Sequence, residues 1–147
     1  MEQSLKEAAA WFRELYGLKE EDVRSYSPLT LAYIGDAVYE LIIRSYLVGQ
    51  GNTAVNKLHK RASSMVKAQA QAMIIHALEP VLTEDELGVY KRGRNAHSYT
   101  KAKNATVTDY RTATGFEALI GFLFLSEQYE RLLTLTAEGV KALEKRQ

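Results

Sequence analysis

The sequence predicts an all-α fold, and three of its features indicate this. Proline is scarce, with only Pro28 and Pro80 among 147 residues, so few positions interrupt a helix. Alanine, leucine, glutamate and lysine are abundant, and these residues have high helix propensity. Apolar residues recur every three or four positions along most of the chain, which is the period of an amphipathic helix. At this length we expect a single domain, residues 1–147, built as a helical bundle around a long central helix.

Two helices are predicted in the first third of the chain. The first covers residues 4–16 and is amphipathic, with Gly17 as its expected C-terminal stop. The second covers residues 29–48, with Ser27 as its N-cap and Pro28 in the first helical position. Because apolar residues lie on almost every side of this second helix, we expect it to pass through the centre of the protein.

A third helix is predicted from Asn52 or Thr53 to about Leu78. The sequence T-x-x-E at Thr83 to Glu86 is a capping box, so a short helix should begin at Glu84 and extend to about Arg92.

The last part of the chain contains a long irregular segment and two more predicted helices. The segment GRNAHSYTKAKNAT, residues 93–106, is rich in glycine, asparagine, serine and threonine, which favour loops. Thr108 can cap a fifth helix that ends near Leu125, and Ser126 can cap a last helix over residues 127–145.

Composition narrows the functional class. There is no cysteine, so disulfides and thiolate metal sites are excluded, which is typical of proteins in the reducing cytoplasm. The N-terminal sequence has no secretory pattern, and no apolar run is long enough to cross a bilayer, so no membrane partner is expected.

Basic charge is concentrated in two stretches, although the net charge is only +1. Residues 41–78 and 87–108 contain no aspartate or glutamate but contain several lysines and arginines. Such stretches favour a surface for an anionic partner, or else they are solvated helix faces and a loop. In the second stretch, which includes the irregular segment, we favour phosphate binding.

Two acids, Asp36 and Glu117, lie in the middle of the two most apolar helices. Burying a carboxylate is costly unless it is paired or bound to a metal. Small residues flank both acids and would let the two helices approach closely: Ala32, Ala37, Thr114, Gly115 and Gly121. Two close carboxylates must share a proton or a cation, and Mg²⁺ prefers such oxygen ligands. Together with the basic stretches this indicates a phosphodiesterase. Alternatively, each acid pairs with an arginine, such as Arg44 or Arg111, or with a backbone amide.

The same two helices resemble the ribonuclease III family. YIGDAVYELIIR resembles the signature of that family, and FEALIGFLFL resembles its second motif, E-A-L-I-G. The segment RGRNAHSYTKAKNAT and the absence of room for a double-stranded-RNA-binding domain are similar to the short bacterial subfamily, Mini-ribonuclease III. The resemblance covers roughly residues 26–125.

This resemblance implies that Asp36 and Glu117 are the catalytic, metal-binding acids. Two other acids of the longer enzymes are replaced here by Ala32 and Thr114. Glu40, one turn after Asp36, is either a group that supports the metal ligands by hydrogen bonds or a plain ion-pair partner.

The resemblance further implies a homodimeric, Mg²⁺-dependent endoribonuclease, with Mn²⁺ as a possible substitute, that cleaves double-stranded RNA and leaves short 3′ overhangs. Its implied task is maturation of the 23S (large-subunit) ribosomal RNA precursor in the cytoplasm, and a ribosomal protein on the substrate is a candidate partner. Double-stranded RNA is recognised mainly through its shape and phosphates. The candidate RNA-binding residues are Arg92, Arg94, Asn95, His97, Lys101, Lys103, Lys57, Lys60 and Arg61.

Two other functions fit the sequence. One is a catalytically inactive ribonuclease III-like RNA-binding protein, in which Ala32 and Thr114 reflect lost activity. The other is a helical carboxylate-metal protein unrelated to RNA, which leaves the basic segment unexplained. Cleavage of RNA distinguishes the first of these from an active enzyme.

Overall fold

Seven α-helices form the part of the chain that the structure, a computed structural model, describes: residues 4–96 and 106–146. No strand occurs in these ranges, which confirms the predicted all-α class. Two short 3₁₀ segments, Val23–Ser25 and Glu79–Val81, connect helices. The helices are α1 (Leu5–Leu15), α2 (Pro28–Gly49), α3 (Val55–Val66), α4 (Ala68–Leu78), α5 (Glu84–Asn95), α6 (Val107–Leu125) and α7 (Tyr129–Lys145).

The most deeply buried helix is α6, which contacts α2, α4, α5 and α7. Nearly every residue of α6 between Thr112 and Leu123 is buried. The predicted central helix, α2, contacts α3, α5 and α6, but it is not covered on every side. One face of α2 packs into the core, but Tyr33 is 83% exposed and Leu41 is 67% exposed on the other.

Several helix ends follow the predicted capping chemistry. The Ser27 hydroxyl accepts a hydrogen bond from the Thr30 amide at 3.2 Å, and Pro28 occupies the first position of α2. The capping box of α5 is confirmed, with Thr83 and Glu86 each accepting from the other's backbone amide.

Other helix boundaries differ from the prediction. Thr106 rather than Thr108 caps α6, and α7 begins at Tyr129 rather than after Ser126. The fourth predicted helix is longer than expected, because α5 continues to Asn95. Gly93, Arg94 and Asn95 are therefore helical, whereas the sequence predicts them in the irregular segment.

The single helix predicted from about residue 52 to residue 78 is wrong, because two helices occupy this range. Lys67 has an extended backbone, with φ −64° and ψ 155°, and it separates α3 from α4. The break lets α3 pack on α2 while α4 packs on α6 and α7. It also frees the carbonyl of Val66, which accepts a hydrogen bond from the side chain of Gln71 at 2.8 Å.

The first predicted helix is present, but its apolar side is not buried. Ser4 caps it with a capping box to Glu7, and Gly17 has the positive φ of 65° expected of a helix stop. Trp11 and Phe12 remain about half exposed. None of the described helices is long and apolar enough to cross a membrane.

A buried ion pair joins α5 to α7. Glu86 is only 4% exposed, and its carboxylate accepts two hydrogen bonds from the Arg131 guanidinium, both at 2.8 Å. Because Arg131 binds it in this bidentate way, the pKa of Glu86 is lowered.

Candidate active site

The site lies where α2 crosses α6 with their backbones in direct contact. A Cβ atom added at Gly35 would overlap the carbonyl oxygen of Glu117, and one added at Gly121 would overlap the carbonyl oxygen of Leu31. Gly121 therefore plays the predicted role of a small residue that permits close approach. Gly115 and Ala37 do not, because Gly115 faces Tyr90 of α5 and Ala37 is exposed.

This crossing brings Asp36 of α2 and Glu117 of α6 close together. Glu117 is partly buried, and this burial is the main reason that its pKa is raised to about 9. The nearby Asp36 raises the pKa of Glu117 further. Asp36 itself is exposed and Glu117 is partly buried, so the expectation that both acids are buried is wrong for Asp36.

Gln71 of α4 is a third polar group at this site, and the sequence reasoning missed it. Its Nε2 donates to the Val66 carbonyl and lies 3.4 Å from Oε2 of Glu117. Gln71 is only 2% exposed. The signal was present in the sequence, because residues 71, 74, 75 and 78 have the spacing of one helix face and all four are buried.

The other residues near the two acids have simple partners. Glu40 accepts a hydrogen bond from Arg44 at 3.1 Å. The two residues are one helical turn apart and form an ion pair on the exposed side of α2. The hydroxyl of Thr114 donates to the Tyr110 carbonyl at 2.9 Å, and Ala32 is buried. Within residues 4–96 and 106–146, no cluster of three or more His, Cys, Asp or Glu side chains could hold a metal ion. The site therefore offers two carboxylates.

Most of the described basic candidates lie on the surface of the helices beside this crossing. Lys57, Lys60 and Arg61 are exposed on α3, which packs on α2. Arg61 donates to Oε1 of Gln50.

On α5, which packs on α6, Arg92 and Asn95 are exposed. Arg94 is half-buried, with its guanidinium carbon 5.5 Å from the centre of the Tyr90 ring. The remaining candidates, His97, Lys101 and Lys103, lie outside the described residues.

The region that contains the crossing matches a known family. Residues 29–128 match the ribonuclease III domain, a range that includes both acids and Gln71. The chain belongs to the ribonuclease III family. The resemblance seen in the two motifs is thereby confirmed, and so is the predicted class of enzyme, an endoribonuclease of this family.

Curated relatives agree with this assignment over most of the chain. The Mini-ribonuclease 3 of Clostridium tetani is 52% identical over 114 residues, which are 77% of this chain and 76% of that protein. The Mini-ribonuclease 3 of Enterococcus faecalis is 54% identical over 113 residues, covering 76% of this chain and 86% of that protein.

A crystal structure supports the fold. A protein from Fusobacterium nucleatum superposes with a TM-score of 0.73 at 32% identity, covering 82% of this chain and 97% of that one. The ribonuclease III helical fold is thus confirmed.

Proposed function

We propose that this protein is a Mg²⁺-dependent endoribonuclease that cleaves double-stranded RNA. The observation that supports this best is the close approach of Asp36 and Glu117 at the glycine crossing, inside the region that matches the ribonuclease III domain. Two carboxyls held together at the cost of a strongly raised pKa indicate a site that is electrostatically complete only with a cation.

The donor set fits a small, hard cation. Mg²⁺ is typically held by one or two carboxylates, with waters and phosphate oxygens completing its octahedron. Asp36 and Glu117 supply such carboxylates, and the solvent exposure of Asp36 leaves room on one side for waters and for RNA. Mn²⁺ accepts the same oxygen ligands and is the expected substitute.

In the proposed reaction the protein holds and orients the reacting groups. When bound, the metal would lower the pKa of a water molecule and stabilise negative charge on the scissile phosphate. Asp36 and Glu117 would anchor the ion from two different helices, so its position is fixed by the helix crossing. Both acids are therefore proposed as catalytic residues, whereas Glu40 is assigned to its ion pair with Arg44.

The RNA backbone would lie against the basic side chains of α3 and α5. Lys57, Lys60 and Arg61 are exposed on α3, and Arg92 is exposed on α5. Their charge can bind phosphates without reading the sequence, which suits double-stranded RNA. Arg94 and Asn95 would extend this surface at the end of α5. We propose the same role for His97, Lys101 and Lys103.

We further propose that the active form is a homodimer, with residues 1–147 as its single domain. The exposed face of α2 supports this, because Tyr33, Ala37, Leu41 and Val48 form an apolar stripe at helical spacing. A twofold contact between two such faces would cover the stripe. Processing of the 23S ribosomal RNA precursor in the cytoplasm is the proposed task, with a ribosomal protein on that RNA as a possible partner.

The decisive experiment is cleavage of a stem from the ribosomal RNA precursor by the purified protein. Cleavage in Mg²⁺ but not in EDTA is expected. The variants Asp36→Asn and Glu117→Gln should lose nearly all activity while still binding RNA. Glu40→Gln is the matched control, because it removes a nearby exposed carboxylate and should remain active. Full activity of either Asp36→Asn or Glu117→Gln would contradict the proposed catalytic site.

One alternative has support in the same site. The acids of the longer enzymes are replaced by Ala32 and Thr114, and the described residues contain no third carboxylate at the site. A catalytically inactive RNA-binding protein would share these features. It would bind the same stem with equal affinity in Mg²⁺ and EDTA, and it would never cut it.

A further inference from the structure

Gln71 is buried beside the two acids although its side chain is polar. It is 2% exposed, and burying an amide without hydrogen bonds costs about 1–3 kcal/mol in proteins. Its oxygen, Oε1, is the one buried side-chain nitrogen or oxygen atom in residues 4–96 and 106–146 that has no hydrogen-bond partner. An arrangement of this kind needs an explanation beyond packing, because leucine or methionine would fill the same volume without the cost.

The break between α3 and α4 fixes which way the Gln71 amide points. The Val66 carbonyl, freed from the helix by the break at Lys67, can only accept hydrogen bonds. The NH₂ group of Gln71 must therefore face it, at 2.8 Å. The same nitrogen directs its second hydrogen towards Oε2 of Glu117, at 3.4 Å. The Val66 carbonyl thus fixes the orientation of the Gln71 amide.

We propose that Gln71 is a positioning residue for the metal site, an inference that rests on the proposed function. Its NH₂ group holds the Glu117 carboxylate in the orientation that binds the ion. Its carbonyl oxygen, which has no donor in the described residues, would be free to accept a hydrogen bond from a water molecule when the metal is bound. Groups that hydrogen-bond metal ligands in this way orient them and typically change metal affinity by about 10–100-fold when removed.

The test compares Gln71→Met with the matched control Gln69→Met. Methionine keeps the length of the side chain but neither donates nor accepts a normal hydrogen bond. Gln69 lies on the same helix and is exposed, so its replacement changes composition in the same way without touching the site. Calorimetric titration of each folded variant with Mn²⁺, in the absence of RNA, measures the metal affinity directly.

Gln71→Met is expected to bind Mn²⁺ about tenfold or more weakly, and Gln69→Met should match wild type. Cleavage by Gln71→Met should need correspondingly more Mg²⁺ to reach half of its maximal rate, while the maximal rate at saturating metal falls less. A purely structural role for Gln71 would lower thermal stability without moving the metal affinity. Equal Mn²⁺ affinity in the folded Gln71→Met protein would therefore overturn the proposal.

A second measurement decides the matter if Gln71→Met does not fold. The side-chain NH₂ signals of wild-type protein can be followed by NMR during titration with Mg²⁺. The Gln71 signals should shift and those of Gln69 should not. Unshifted Gln71 signals in a protein that binds Mg²⁺ would also overturn the proposal. If wild type binds no metal and cuts no RNA, the proposed function itself fails; a defect confined to Gln71 leaves it standing.

Discussion

Replacing Glu117 by glutamine should make the metal-free protein more stable, although it removes a proposed metal ligand. Burial and Asp36 raise the pKa of Glu117 to about 9, against an ordinary value of 4.5. Between these values the folded protein keeps the carboxyl protonated, whereas the unfolded chain is ionised. Unfolding then releases a proton, so stability falls as the pH rises, by about 1.4 kcal/mol per unit.

The expected size of the effect follows from the same values. At pH 7.5 the solution is three units above the ordinary pKa of a glutamate. Burying Glu117 therefore lowers the free energy of unfolding of the metal-free protein by on the order of 4 kcal/mol. A glutamine amide has nearly the same shape as the protonated carboxyl and does not ionise. Glu117→Gln should therefore raise the midpoint of thermal unfolding by roughly 10 °C at this pH, for a chain of this length. At pH 5 the two proteins should differ little.

Urea unfolding in EDTA at several pH values between 5 and 8.5 measures this difference. Glu40→Gln is the control, because an exposed ion pair between residues one helical turn apart contributes only about 0.3–0.5 kcal/mol to the free energy of unfolding. Adding Mg²⁺ should stabilise wild type and leave Glu117→Gln almost unchanged, since a ligand stabilises only the state that binds it. Parallel pH profiles for wild type and Glu117→Gln would refute the reasoning.

Three further changes test other parts of the structure. Gly35→Ala should lower the free energy of unfolding by about 3 kcal/mol or more, because the added methyl meets the Glu117 carbonyl; Gly49→Ala on the same helix meets nothing and should be neutral or slightly stabilising in the same urea assay. Arg131→Met should lower the free energy of unfolding by about 3 kcal/mol at neutral pH, because the buried Glu86 carboxylate loses its guanidinium partner. Because Arg131 lowers the pKa of Glu86, that difference should shrink as the pH falls below the ordinary range of a glutamate, and a constant difference would contradict the assignment. Arg92→Ala should weaken RNA binding and reduce the slope of affinity against salt by about one, and an unchanged slope would remove Arg92 from the RNA surface.

Local chemistry near helix ends could be predicted from the sequence because it depends on a few neighbouring residues. Ser27 and Pro28 correctly marked the start of α2, and Thr83 with Glu86 correctly marked the start of α5. The pairing of two apolar helices through their central acids was also predictable, since a carboxylate in an apolar helix needs a partner.

Features that depend on tertiary packing could not be predicted in this way. Nothing in the residues around Lys67 is a helix breaker; the chain bends there because α3 and α4 pack on different helices. The position of Gln71 beside Glu117 depends on that bend. Likewise, the apolar surplus of α2 does not reveal which of its faces is exposed, namely the one with Tyr33 and Leu41. A single chain's periodicity does not distinguish a core face from a face that another molecule covers.

The glycine contact between α2 and α6 also determines when the site can form during folding. If α2 were displaced along α6 by one helical turn, the side chain of Leu31 or Tyr39 would meet the Glu117 carbonyl in place of Gly35. Such a misregistered state would be blocked by backbone collision before its carboxyls could meet. Docking of the two helices and assembly of the acid pair are therefore one event, so partly folded molecules should not present a working site to RNA.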